Sequence, residues 1–247
     1  GARALDEWRV RDVAAHLLDG DVRQLTYRRD REPLPPPDRE IDGFDALSAF
    51  LDHLNHVWVR AAKRIGPRLM VDLLELTGRQ VAECFETQHL EAPAFFGVAW
   101  AGDHGGANWL DIGREYDERW HHQQQIREVT GPAAAAHGIA VARARLRVAL
   151  HAVPRAHAQI ACEPGTEVSL IVRGPSGGTW TVASDGASWL LEERPAANAA
   201  ASVSLDEETA WRLLHGAGDR GELATRITRS GDPGLAAPFE AAFALMA

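Results

Sequence analysis

The segment Trp8-Arg-Val-Arg-Asp-Val-Ala-Ala-His16-Leu17 begins the first apolar pattern of the chain and carries a histidine in its interior. Its apolar residues recur with the spacing that places them on one face of a helix. The pattern continues beyond Leu17 and predicts a helix over Trp8–Arg29. A histidine within such a face is either a hydrogen-bonded core residue or a metal ligand, and this segment alone leaves both interpretations open.

Three segments further along the chain show the same helical periodicity, at about 44–65, 68–87 and 109–130. Proline-rich residues 32–38 separate the first helix from the second, and Gly66-Pro67 separates the second from the third. Gly131-Pro132 is a typical helix end. Residues 88–107 form a long loop with aromatic content, a kind of segment that is often functional. Four helices of this length predict a four-helix bundle.

The second half of the chain changes to a mixed pattern. An Ala- and Arg-rich segment at 133–158 predicts one more helix. Runs rich in β-branched residues, separated by glycine turns, predict a β-meander and one further strand, at 167–173, 179–183, 187–192 and 202–205. Asp206 is the expected N-cap of a helix over 207–214. A last helix is expected over 233–246.

Together the two halves predict a two-domain α+β protein. We expect a helical bundle over residues 1–135 and a small α+β domain over 136–247. The length of 247 residues suits this division, and 45% apolar residues supply enough material for a core.

The composition excludes several classes of protein. The formal net charge is −9, and nucleic acid is not an expected partner because phosphate binding needs a clustered positive surface. Arg28, Arg29 and Arg31 come closest, but acidic residues interrupt them, so we interpret them as a solvated face. No segment approaches the ~18 apolar residues of a membrane span. The two cysteines form no CxxC or disulfide framework, which favours free thiols in a reducing cytoplasm.

Several common catalytic motifs are missing from the sequence. It contains no Gly-x-Ser-x-Gly motif, and neither cysteine lies in a recognisable nucleophile motif. The glycine-containing stretch at 174–178 lacks the lysine of a phosphate-binding loop. A nucleophilic triad and a phosphate-binding loop are therefore not supported.

The fourth predicted helix carries the most specific chemical pattern. Glu118 and His122 are four residues apart, so they share one helix face and can bind one metal ion. His16 is the best candidate for a third ligand, although spacing alone leaves other histidines possible. Two imidazoles and one carboxylate leave coordination positions open, which is typical of catalytic sites. A core role for His16 and a surface pairing of Glu118 with His122 are the alternatives.

Two further metal arrangements are possible. The sequence contains two Glu-x-x-His motifs, Glu86–His89 and Glu118–His121. Paired motifs of this kind occur in di-iron bundles, which also need a glutamate from each of the other two helices. The first helix offers only Glu7, and the second has no glutamate in its interior. His53 and His56 could form a second site, but we favour a position facing solvent or a neighbouring helix.

Two segments of the chain resemble one known family. The segment Trp8–Leu17 resembles the N-terminal signature of the mycothiol-dependent maleylpyruvate isomerase family, a branch of the DinB-like metal-binding bundles. The segment Arg114-Glu-Tyr-Asp-Glu118-Arg-Trp-His-His122-Gln-Gln-Gln-Ile-Arg-Glu128 resembles its second signature. The resemblance implies a metal bound by His16, Glu118 and His122. It thereby selects His122 over His121 and Glu118 over Glu115.

The C-terminal half is similar to the sterol-carrier-like domain that often follows this bundle. The similarity lies in Val203-Ser-Leu-Asp206, Trp211-Arg-Leu-Leu-His-Gly216 and Gly231-Asp232-Pro233. The family places a functional arginine in this domain, for which Arg226 is our candidate and a surface role the alternative. The run Gln123–Gln125 departs from the family, many members of which carry an aspartate soon after the ligand histidine. This departure puts maleylpyruvate itself in doubt as the substrate.

The resemblance implies a metal-dependent isomerase or S-transferase that uses a thiol such as mycothiol and acts on a small activated substrate. Zinc is the expected metal because it tolerates open coordination and needs no redox chemistry. Asn55 is expected to line the pocket. The expected partners are the substrate and the thiol, and the chain would be a monomer or homodimer. A hydrolase or lyase that activates water and a non-enzymatic ligand-binding protein with a structural metal are the alternatives.

Overall fold

The computed structural model describes residues 8–102, 106–131 and 138–244. They form two compact units, one holding residues 8–97 and 106–131 and the other holding 98–102 and 138–244. The expected boundary between residues 135 and 136 lies outside the described residues and stays a prediction. None of the helices described is long and apolar enough to cross a membrane.

The first unit consists of helices, as predicted. Its elements are α1 (Val10–Arg23), a π-helical continuation (Gln24–Arg29), α2 (Phe44–Ala62), α3 (Pro67–Glu86) and α4 (Asn108–Thr130). α3 begins at Pro67, where the fixed φ of proline suits the first helical turn. α4 ends at Gly131, whose φ of 84° is the left-handed conformation typical of a helix end. Within this unit α1 packs against α2, α3 and α4.

The interior of this unit has an apolar side and a polar side. Where α1 meets α2 and α3, the buried cluster is apolar and consists of Ala15, Leu18, Val59, Ala62 and Met70. The buried residues of α4 are instead almost all polar: Asn108, Asp111, Asp117, His121, His122, Gln124 and Gln125, with Leu110 as the exception. Burying polar groups costs free energy unless they have partners. This polar interior therefore marks α4 as the element to examine for function.

The second unit combines short helices with one mixed sheet. Its elements are a 3-10 turn (Ala99–Ala101), α5 (Ile139–Ala149), α6 (Ala152–His157), β1 (Glu167–Arg173), β2 (Gly178–Ser184), β3 (Trp189–Glu192), β4 (Ala199–Asp206), α7 (Glu207–Leu214), α8 (Arg220–Ala224), β5 (Thr228–Gly231), α9 (Pro233–Ala236) and α10 (Pro238–Ala241). The strand order is β3-β2-β1-β4-β5. β1 and β4 are parallel and the other neighbours are antiparallel. The predicted α+β fold class is confirmed.

Local signals in this unit predicted some elements well. The meander of β1, β2 and β3 is present, and Asp206 caps α7 by accepting a hydrogen bond from the Thr209 backbone N–H at 2.8 Å. Val168, Leu170 and Val172 alternate along β1 and are buried in the core. Alternation of this kind is the expected pattern for a strand with one buried face.

Two predictions for the second unit were wrong in detail, and one strand was missed. The segment before the sheet holds two helices among its described residues, α5 and α6. The last helix is divided into α9 and α10 at Pro238, because proline lacks the backbone N–H that a continuous helix needs. β5 was missed because all four of its residues are exposed, so no apolar alternation marks this edge strand.

Candidate metal centre

Helices α1 and α4 bring His16, Glu118 and His122 together. His16 Nε2 lies 2.9 Å from Glu118 Oε1, and His122 Nε2 lies 3.0 Å from the same oxygen. The candidate ligand atoms of all three residues lie within 4.8 Å of one another. Both histidines are buried, whereas the Glu118 side chain keeps 25% of its surface exposed. One carboxylate oxygen is therefore the point on which two imidazole nitrogens converge.

This donor set fits a transition-metal ion. Two imidazoles and a carboxylate are ligands that zinc takes at catalytic sites, where a further position stays open for water or substrate. In the described part of the chain, this is the only group of three or more histidine, cysteine or acidic side chains with such spacing. The three residues selected by the family resemblance are thus placed together, and their role as ligands remains a proposal.

Gln125 holds the ring of His122 in orientation. Its Oε1 lies 2.7 Å from His122 Nδ1, and since an amide oxygen only accepts, Nδ1 carries a hydrogen and donates it. Gln125 Nε2 lies 2.8 Å from His121 Nε2 on the preceding turn. Metal-binding histidines commonly donate their second ring N–H in this way, which leaves the other nitrogen for the metal. Sequence reasoning treated Gln125 only as a departure from the family pattern and missed this contact.

Replacing Gln125 with alanine is expected to weaken metal binding about 10- to 100-fold, because His122 loses the partner that fixes its orientation. Zinc affinity by competition with a chromophoric chelator measures the effect. Gln123→Ala is the matched control, since it removes a neighbouring glutamine that has no such contact with His122. Equal losses in the two variants would show that the Gln125 contact is not what supports the site.

His16 lies in surroundings that hydrogen bonding alone does not explain. The centre of the His16 ring lies 5.3 Å from the centre of the Trp8 ring and 4.8 Å from the centre of the His122 ring. Its Nδ1 is buried and has no hydrogen-bond partner among the described residues. The unpartnered Nδ1 does not separate the core from the metal-ligand interpretation. The convergence of His16 Nε2 and His122 Nε2 on Glu118 Oε1 favours the metal-ligand interpretation.

The charges of Glu118 and His122 affect each other's pKa. Burial alone would raise the pKa of Glu118, but His122 and His16 hold that pKa well below its ordinary value. Burial would likewise lower the pKa of His122, yet Glu118 and Gln125 together raise it. Both ring nitrogens of metal-free His122 face acceptor oxygens, which favours the protonated ring. A metal ion that takes Nε2 must therefore displace a proton.

The alternative metal arrangements do not assemble among the described residues. His121 is buried but is not part of the group around Glu118, and Glu115 instead pairs with Arg114 at 2.8 Å. Glu86 and His89 are exposed at and beyond the end of α3, and they form no second cluster in the part of the chain that is described. His53 and His56 are exposed on α2, as we favoured from the sequence.

The other two predicted site residues lie elsewhere. Asn55 is buried on α2, and its Oδ1 has no hydrogen-bond partner among the described residues. No described contact joins Asn55 to the triad. Arg226 is exposed after α8 in the second unit, where its charge acts on Asp206. The functional roles of Asn55 and Arg226 remain predictions.

A buried ion pair fastens α4 to the continuation of α1. Arg28 Nη2 donates to Asp111 Oδ2 at 2.5 Å, and Arg28 Nη1 donates to Asn108 Oδ1 at 2.7 Å. Neither side chain of the Arg28–Asp111 pair is exposed. Our interpretation of Arg28 as part of a solvated face was wrong, because the π-helical turn directs its side chain inward, where the Phe85 and Phe95 rings flank it.

Fold and site together define a class: a helical unit with a candidate metal centre of two histidines and one carboxylate, followed by a unit with a mixed five-stranded sheet. No profile of a known protein family and no curated protein sequence matches the chain. Solved structures do match it, among them two crystal structures.

The first is a crystal structure of a histidine-to-alanine mutant of the mycothiol-dependent maleylpyruvate isomerase, with a TM-score of 0.50, 11% identity and coverage of 93% of this chain and 81% of that chain. The second is a crystal structure of the mycothiol-dependent maleylpyruvate isomerase, with a TM-score of 0.45, 12% identity and coverage of 92% and 80%. At such low identity the first likeness establishes the fold. The predicted resemblance is therefore confirmed at the level of the fold.

Proposed function

We propose that this chain is a metal-dependent enzyme that uses a small thiol of the mycothiol type to isomerise, or transfer sulfur to, a small activated substrate. The convergence of His16 and His122 on Glu118 carries the proposal. The shared fold with a mycothiol-dependent isomerase supports the thiol as cosubstrate. Zinc is the proposed metal, because the site offers nitrogen and oxygen donors and leaves positions open.

The bound metal would supply one property, a lowered pKa of a thiol or water placed beside it, so that the thiolate forms at neutral pH. The protein residues prepare the site for this. Glu118 stays ionised, which supplies one negative charge in a partly buried position. Gln125 fixes His122, and Trp8 lies against the ring of His16. The ligands are thus held in place by their neighbours.

A thiolate is a strong nucleophile and permits two related reactions. It can add to an activated double bond, after which rotation about the resulting single bond and loss of the thiolate give the geometric isomer. It can instead displace a leaving group and remain attached to the substrate, which is S-transfer. Arg226, chosen from the family resemblance, is proposed as a functional residue. Asn55, chosen from its place on α2, is separately proposed to line the pocket.

A substrate screen with matched omissions tests the proposal. The zinc-loaded protein is incubated with mycothiol and a panel of electrophilic and unsaturated acids, and products are followed by mass spectrometry and NMR. We expect isomer or S-conjugate formation that requires both zinc and thiol and is lost in His122→Ala. Turnover that needs zinc but no thiol would favour a hydrolase or lyase instead. A folded protein with no affinity for zinc would favour a non-enzymatic ligand-binding protein.

A further inference from the structure

Arg114 lies on α4 one helical turn before Glu118 and on the same helix face. Its Nη2 donates to Asp111 Oδ1 and to Glu115 Oε1, each at 2.8 Å. Its Cζ lies 6.0 Å from the centre of the Phe96 ring. The side chain nevertheless keeps 29% of its surface exposed. The guanidinium is therefore fixed beside the candidate metal centre and can still be reached from solvent.

The guanidinium has a donor that the described protein does not use. Arginine offers five N–H donors, and the two carboxylates both contact Nη2. Among the described residues, Nε is buried without a hydrogen-bond partner. A buried donor without a partner is uncommon, because it has lost its hydrogen bonds to water. A ligand that brings acceptor oxygens would restore them.

Two of the carboxylates near Arg114 also interact with other groups, so they neutralise its positive charge only in part. Asp111 also pairs with the buried guanidinium of Arg28 at 2.5 Å. Glu118 acts on Arg114 through its charge, but its Oε1 is hydrogen-bonded to the two histidines. A divalent metal ion bound at the centre would neutralise the negative charge of Glu118. Glu115 would then be the main remaining counter-ion of Arg114, so a ligand anion would be better tolerated.

The neighbouring cation on α4, Arg119, pairs with a carboxylate of α1. Arg119 Nη2 donates to the buried carboxylate of Asp21, whose second oxygen accepts a hydrogen bond from Thr77 at 2.7 Å. This pairing turns Arg119 toward α1 and α3, whereas Arg114 keeps a buried Nε without a partner among the described residues.

We propose that Arg114 binds a carboxylate of the substrate beside the metal centre and thereby selects small carboxylic acids as substrates. The inference rests on the proposed function, since the carboxylate is taken to accompany a thiol bound at the metal. A guanidinium suits this role because its planar N–H groups can bind both oxygens of a carboxylate. The selection would come from hydrogen bonds that a neutral substrate cannot form equally well.

Paired thiol probes test the inference by binding rather than by activity. The cobalt-loaded protein is titrated with mercaptopropionate and with its neutral counterpart mercaptopropionamide, and the thiolate-to-cobalt absorption band reports binding. We expect the wild type to prefer the carboxylate. Arg114→Gln should lower the ratio of the two affinities about 10- to 100-fold, as expected for the loss of charge-assisted hydrogen bonds. Arg114→Lys should keep part of the preference.

Arg127→Gln is the matched control, because it removes the same charge from the last turn of α4 and should keep the wild-type ratio. An unchanged ratio in Arg114→Gln, or no preference in the wild type, would overturn the inference and leave the proposed function standing. Failure of the wild type to bind cobalt would overturn both. If Arg114→Gln does not fold, Arg114→Lys decides: a ratio at the wild-type value contradicts a role for the planar guanidinium, and a reduced ratio supports it.

Discussion

His122→Ala is expected to abolish stoichiometric zinc binding while the fold of the helical unit is kept. His122 supplies one of two imidazole nitrogens that converge on Glu118, and its loss leaves two candidate ligands. Loss of the partner of a ligand typically weakens binding about 10- to 100-fold, so loss of the ligand itself should exceed that range. His16→Ala should have the same effect. Metal content after dialysis against zinc, with circular dichroism for the fold, measures both.

Two further histidine variants make this test specific. His56→Ala removes an exposed histidine of α2 and should leave one zinc per chain. His121→Ala removes the neighbour that shares Gln125 with His122, so it should weaken binding without abolishing it. If His121→Ala lost zinc and His122→Ala kept it, the assignment of the ligands on α4 would be wrong.

Asp111→Ala is expected to destabilise the helical unit by about 3–5 kcal/mol, the usual cost of breaking a buried ion pair by removing one partner. The substitution leaves the guanidinium of Arg28 buried without its carboxylate. It also removes the acceptor of the Phe96 backbone N–H, at 2.8 Å, and one of the two carboxylates that hold Arg114. The loss should appear as faster hydrogen exchange in peptides from α1 and α4.

An exposed pair in the same region is the control. Asp30 pairs with Arg29 at 2.6 Å, but both side chains are exposed to solvent. Exposed ion pairs contribute little to stability, so Asp30→Ala should leave exchange in α1 and α4 nearly unchanged. Similar acceleration in Asp30→Ala and Asp111→Ala would mean that burial of the pair is not the source of its effect.

The features that were predicted from the sequence depend on local spacing. The four-residue interval between Glu118 and His122 places both on one helix face whatever surrounds them. Apolar periodicity located the four helices of the first unit, and proline and glycine located their ends. His16 could not be selected by spacing, because its approach to Glu118 depends on how α1 packs against α4. The family resemblance supplied that choice.

The features that were missed depend on contacts between distant parts of the chain. Arg28 is followed by alternating charges that suggest a surface, and only the π-helical turn places it in the interior against Asp111. All four residues of β5 are exposed, so its sequence has no apolar alternation that would indicate a strand. Its pairing with β4 is seen only in the folded sheet. Gln125 carries no signal beyond its position three residues after His122. Its role follows from the ring orientation that the structure reveals.

X-ray absorption at the zinc edge tests the metal centre most directly. We predict one zinc per chain with two imidazole nitrogens and carboxylate or water oxygens at about 2.0–2.2 Å, and a sulfur at about 2.3 Å when the thiol is added. In His122→Ala the imidazole signal should be lost with the metal. A folded protein without stoichiometric zinc, or a zinc whose ligands include no imidazole, would contradict a metal centre formed by His16, Glu118 and His122.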